Sequence, residues 1–288
     1  MIGGMRLLDP PQAKYFCNPP APVIARVGRP QSLRLFHTSL PKSVTQFTEG
    51  HQYFQVHQVN LLIEIDRWLL FSVSHYRRAM DMLVPASAPW AQVTLYYASF
   101  YAANAILGMF GGWIGHSKDG VRIVDIEHGA EGTQQLRIHR SPKSPRGVNG
   151  SHQMFWDFFY FSAASISGWA PAGLKSALIP VNGDFKWQIV ERNGVNYDMY
   201  LAWDAAMRLN RTFKPHRLNS LNGPLQQQLE TTETLIKLAL HFGVKLKLST
   251  TGLEGCGHVG PASRIRRRLG AQRPPQIVMQ SEFLEFLA

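Results

Sequence analysis

The chain has 288 residues, 45% of them hydrophobic and 17% charged, with two cysteines, Cys17 and Cys256. That length suits one large domain or two small ones, the hydrophobic share excludes a wholly disordered chain, and two cysteines exclude a disulfide framework. The formal net charge of +11 invites a nucleic-acid partner, yet six Lys or Arg against Asp9 lie in residues 1–48 and seven against three acids in residues 244–288, which leaves the middle nearly neutral.

The first 48 residues contain Pro10, Pro11, Pro19, Pro20, Pro22, Pro30 and Pro41. Proline inside a helix removes a donor and clashes with the preceding turn, so this segment is expected to be a basic, poorly ordered arm. Its poverty in acids also fits a mitochondrial presequence over residues 1–40, but the prolines break the amphipathic helix such a signal needs; a cytoplasmic location is otherwise expected. From Asn60 to Leu83, residues such as Leu61, Leu62, Ile65, Leu69, Val73, Tyr76 and Met80 recur at three- and four-residue spacing. This predicts an amphipathic helix ended by Pro85.

A second helix is predicted from about Trp90 to Phe110, stopping at Gly111-Gly112. No Asp, Glu, Lys or Arg lies between Val84 and Lys118, so a membrane span has to be weighed. Gln92, Thr94, Ser99 and Asn104 would each need a polar partner in lipid, and the mean hydropathy is −0.14, so a buried central helix is expected and no membrane span.

Residues 121–127 and Gln135 to Arg140 alternate apolar with polar and predict an inserted β-hairpin. Ser151 then opens an aromatic helix through Phe155, Phe158 and Phe159, a further helix is predicted over about Asn196 to Phe213, and a last one runs from Pro224 to about Phe242. The chain therefore reads as mainly α. Residues 1–48 form the arm, 49–243 a helical domain with an insertion over 117–183, and 244–288 a basic extension with one short strand or helix around Ile277 to Leu287.

Two stretches carry a family resemblance. The run Tyr96-Tyr97-Ala98-Ser99-Phe100-Tyr101-Ala102-Ala103 resembles the second helix of HEPN domains, and Arg192-Asn193-Gly194-Val195-Asn196-Tyr197-Asp198 resembles the Arg-centred segment of a later helix in the same bundles. The resemblance spans roughly residues 60–215 and implies an antiparallel helical bundle that forms a homodimer, with the Tyr- and Ala-rich surface of residues 96–107 suited to a close helix or dimer contact. Many HEPN proteins are metal-independent ribonucleases, among them toxins and antiviral defence effectors. Their signature is an Arg followed after four to six residues by a His.

The resemblance implies Arg192 as the phosphate-binding and transition-state residue, with Asn193, Asn196 and Tyr197 orienting it. The signature His is absent, because Tyr197, Asp198 and Met199 occupy its allowed positions. A phenol is a poor base at neutral pH, and the loss of an acid–base group costs about 10²- to 10⁴-fold in rate. Two functions therefore stand open: an RNA-directed nuclease with another group in place of His, or a non-catalytic scaffold whose site is degenerate and whose partner is RNA or a protein. Arg122 to His128, Arg146 to His152 and Arg211 to His216 also have the signature spacing, but about that many matches arise by chance in a chain with 20 Arg and 11 His.

Arg264, Arg266, Arg267, Arg268 and Arg273 form the sharpest basic cluster and are candidates for nucleic-acid contact. Cys256 and His258, with His241, are too few to hold a metal and read as part of a Gly-rich surface loop. No metal and no cofactor are expected, and no G-x-S-x-G, H-E-x-x-H or P-loop pattern occurs.

Overall fold

The computed structural model describes residues 5–27, 31–84, 87–117, 120–128, 133–140, 151–212 and 223–248. The protein is mainly helical and carries a small four-stranded antiparallel sheet. Its long helices are α4 (Gln52–Asp81), α5 (Ala88–Met109), α8 (Met199–Thr212) and α9 (Gly223–Lys245), joined by α6 (Ser151–Ala163) and α7 (Trp187–Tyr197). Three short 3₁₀ segments bridge α6 to α7 at Ala164–Trp169, Ala172–Leu178 and Val181–Gly183.

The uncharged α5 lies at the centre, packed against α4, α9, α7 and α8. A helix apolar on all sides is stable only when surrounded, and Leu95, Tyr96, Ala98, Ala102, Ala103, Ala105 and Ile106 have no exposed surface. The Tyr- and Ala-rich surface expected to serve a helix or dimer contact thus makes its helix contact within the chain, and these side chains are closed to a second copy. The polar groups of α5 find partners in the same way: Ser99 bonds Thr232 at 2.8 Å, and Asn104 donates to the Phe100 carbonyl at 2.8 Å. Among the described residues no helix is long and apolar enough to cross a membrane.

The two ends of α5 follow from its sequence. Pro89 occupies the first turn, where its missing N–H breaks no helical bond. At the other end Gly111 takes φ +84°, its N–H reaches Gly108 O at 3.0 Å and Gly112 N–H reaches Leu107 O at 2.9 Å, a Schellman closure that favours glycine.

The segment up to residue 48 departs from the expected disordered arm. It folds into α1 (Pro10–Phe16), α2 (Ala21–Val27), α3 (Leu33–Ser39) and strand β1 (Gln46–Thr48), and Ala13, Phe16, Cys17 and Leu33 have no exposed surface. The prolines are compatible with this because Pro10 and Pro11 sit in the first turn of α1, capped by Asp9, and Pro22 sits in the first turn of α2. Leu8 N–H donates to Phe110 O at 3.0 Å and Gln58 Nε2 donates to Phe16 O at 2.8 Å, so the segment is bound to both central helices.

The expected hairpin is half of a larger sheet. Strands β2 (Trp113–Ser117), β3 (Gly120–His128) and β4 (Gln134–Arg140) join β1 in the order β1-β4-β3-β2, with Phe47 opposite Leu136, Val124 opposite Ile138 and Ile114 opposite Ile123. The single helix expected over Asn196 to Phe213 is instead two, because Asp198 is extended (φ −110°, ψ 109°) and ends α7. Its Oδ1 accepts from Tyr200 N at 2.9 Å and Leu201 N at 3.2 Å, which caps α8.

Candidate functional site

The site is organised by two consecutive tyrosines of α5. Consecutive residues point about 100° apart on a helix, so Tyr96 turns fully into the core while Tyr97 stays partly exposed. Arg192, from α7, lays its guanidinium carbon 5.1 Å from the Tyr96 ring centre and 6.0 Å from that of Tyr97. Such a cation over aromatic faces is held by the ring quadrupoles without a carboxylate.

Among the described residues Arg192 has no ion-pair partner, and its Nε is a buried atom with no hydrogen-bond partner. The carboxylate next to it in sequence, Glu191, is engaged elsewhere, accepting from Gln92 Nε2 at 3.3 Å. Asn193 Oδ1 is likewise buried and unpaired. The guanidinium therefore keeps donors for an anion that none of the described residues supplies.

An imidazole reaches the same rings from α6. His152 Nδ1 lies 2.7 Å from the Tyr96 hydroxyl, and its ring centre is 5.7 Å from that of Tyr96 and 6.2 Å from that of Tyr97. Trp156, one turn further along α6, donates Nε1–H to the same phenolic oxygen at 3.3 Å. Burial pushes the Tyr96 phenol above its ordinary value, opposed by the Trp156 bond and the Arg192 charge, so it serves as a neutral bridge. A second imidazole, His75 of α4, stands 6.4 Å from the Tyr97 ring and 5.1 Å from the Tyr101 ring.

The four candidates from α7 do not form one group. Tyr197 is five residues beyond Arg192, about 140° around the helix, and is 77% exposed, pointing away from the Tyr96–Tyr97 rings. It lines, with Asn196, Trp90 and Asp198, a cleft of about 340 Å³ between the start of α5, the end of α7 and α8. Arg192 lies on the two tyrosine rings whereas Asn196 and Tyr197 line this cleft, so among the described contacts none joins Tyr197 to Arg192.

Spacing along the sequence passes over both imidazoles found beside Tyr97. His152 matches the Arg/His interval only with Arg146, which lies outside the described residues, and His75 matches none. The basic cluster Arg264, Arg266, Arg267, Arg268 and Arg273, the pair Cys256 and His258, and the element expected around Ile277 to Leu287 also lie outside the described residues. Among the described residues no group of three or more His, Cys, Asp or Glu is placed to hold a metal ion. No protein family, curated protein or solved structure matches this chain.

Proposed function

We propose that the chain is a HEPN-like RNA-directed protein in which Arg192 takes a backbone phosphate. The observation that carries this reading is a guanidinium with no counter-ion among the described residues, fixed by Tyr96 and Tyr97 on a partly exposed face. A planar fork of donors matches phosphate geometry, and holding it on aromatic rings keeps it oriented before the anion arrives. The family resemblance adds the choice of RNA, and with it a nuclease activity and a setting as a toxin or effector of prokaryotic defence.

The test is binding of a fluorescein-labelled single-stranded RNA of mixed sequence to the wild type and to Arg192→Ala and Arg192→Lys, each shown to be folded to the same extent. A charge-assisted contact of about 1.5–3 kcal/mol predicts at least a tenfold loss for the alanine variant and a smaller one for lysine. Equal binding by all three proteins would reject Arg192 as the phosphate contact.

The scaffold reading is favoured by a different observation. Trp90, Tyr200 and Trp203 are 60%, 75% and 65% exposed, and with Tyr197 they place four aromatic rings on α5, α7 and α8. Aromatic side chains exposed together are characteristic of surfaces that meet a second copy or a partner protein. A sedimentation measurement that finds dimers in the wild type and monomers in Trp203→Ala would support that reading.

A further inference from the structure

The cleft of about 340 Å³ between the start of α5, the end of α7 and α8 includes neither Arg192 nor the two tyrosine rings on which it rests. Its size is at the lower end of the range for small-ligand sites. Two large rings stand in it, Trp90 from the first turn of α5 and Tyr197 from the last residue of α7, together with Val93, Val195 and Asp198. Trp90 and Tyr197 are 60% and 77% exposed, and among the described residues neither ring meets another ring or a cation. Both rings are therefore available to a ligand. We propose that this cleft binds a small free quaternary ammonium compound, held between Trp90 and Tyr197 and neutralised by the carboxylate of Asp198. The proposal is independent of the reading of Arg192.

The sign of the charge around the cleft excludes an anion. Among the described lining residues there is no Lys, Arg or His, and Asp198 carries the one full charge. Asp198 has no ion-pair partner among the described residues; its Oδ1 accepts from Tyr200 N and Leu201 N at the start of α8, and Oδ2 takes no part in those bonds. The starts of α5 and α8 each bring a partial positive charge of about half a unit, and the end of α7 a partial negative one of about the same size. The full carboxylate charge outweighs what remains, so the cleft is negative within a chain of net charge +11.

The rings decide which kind of cation fits. The face of an aromatic ring is the negative end of its quadrupole and attracts a cation within about 6 Å of the ring centre. An ammonium with N–H groups gives up hydrogen bonds to water when it moves against rings and valines. A trimethylammonium group spreads its charge over methyl groups that have no such bonds to lose, and Val93 and Val195 offer those methyl groups apolar contact. Trp203, whose exposure supports the scaffold reading, does not line the cleft, so the two ideas are tested at different residues.

The test is calorimetric titration of the full chain with choline and with its tert-butyl isostere, in which an uncharged carbon replaces the nitrogen. Choline is expected to bind at least about tenfold more tightly than the isostere, because the two differ in charge alone. Trp90→Ala and Tyr197→Ala should each weaken choline by about two- to thirtyfold. Asp198→Asn keeps the oxygen that caps α8 and removes the charge, so it should weaken choline by about two- to fivefold and leave the isostere unchanged, which a merely structural role would not do. An isostere that binds as tightly as choline overturns the proposal and leaves an apolar cleft. Choline binding that survives both aromatic substitutions overturns it, and so does an absence of choline binding. A peptide carrying trimethyl-lysine that binds more tightly than choline overturns the assignment to a free compound in favour of a modified protein.

Discussion

His37 of α3 and His57 of α4 face each other in the core, with Nε2 of the first 2.9 Å from Nδ1 of the second. The His37 ring also stacks on Trp113 at 4.7 Å, and the two outer nitrogens, His37 Nδ1 and His57 Nε2, are buried without hydrogen-bond partners. Neither ring can be charged cheaply here. Burial pushes His57 down to about 3 from an ordinary 6.5. His37 is lowered too, by burial first and then by the charges of His57, Arg122 and Arg140.

This pair predicts acid lability. Both rings are neutral in the folded protein, whereas in the unfolded chain they take up protons below their ordinary value, so the stabilisation is complete above about pH 6.5 and falls as the pH drops toward 3. The slope is ~1.4 kcal/mol per pH unit for each proton the unfolded chain binds in excess. Urea midpoints should therefore fall between neutral pH and about pH 5 in the wild type and flatten in a His37→Phe/His57→Leu double variant. Parallel midpoints for the two proteins would show that other groups control the acid response.

The N-terminal segment should behave as part of the cooperative fold. Phe16 is fully buried and meets Phe54 edge-on at 6.4 Å. Phe16→Ala is expected to cost about 3–5 kcal/mol in urea unfolding, the usual range for removing a buried aromatic ring. A loss below about 1 kcal/mol would mean that α1 opens without the core.

Asp198 separates two helices through one side chain. Asp198→Ala removes the acceptor for the Tyr200 and Leu201 amides and should cost about 0.5–2 kcal/mol, with faster hydrogen exchange at those two amides. Asp198→Asn keeps the oxygen and should restore most of the loss. Unchanged exchange in the alanine variant would assign the break to the backbone alone.

Much of the helical framework is legible in the sequence because it depends on periodicity. The three- and four-residue spacing from Leu61 to Met80 gives the body of α4, the uncharged run containing Leu95 and Ile106 gives a buried α5, and Pro224 marks the start of α9. The order of the N-terminal segment is not legible there, because proline counts alone do not say whether each ring falls in a helix interior or in a first turn. Pro10, Pro11 and Pro22 fall in first turns, and Asp9 supplies the missing acceptor.

The sequence by itself also singled out Arg192, and it grouped Asn196 and Tyr197 with it because they are near in the chain. Only the tertiary structure decided which groups share a space with that guanidinium. Residues on one short helix diverge by about 100° each, which sends Tyr197 outward, whereas side chains from α4, α6 and α7 meet wherever α5 brings those helices together. His75, His152 and Arg192 are 77 and 40 positions apart in the chain and converge on Tyr97 through the packing of apolar faces, which no local spacing reports.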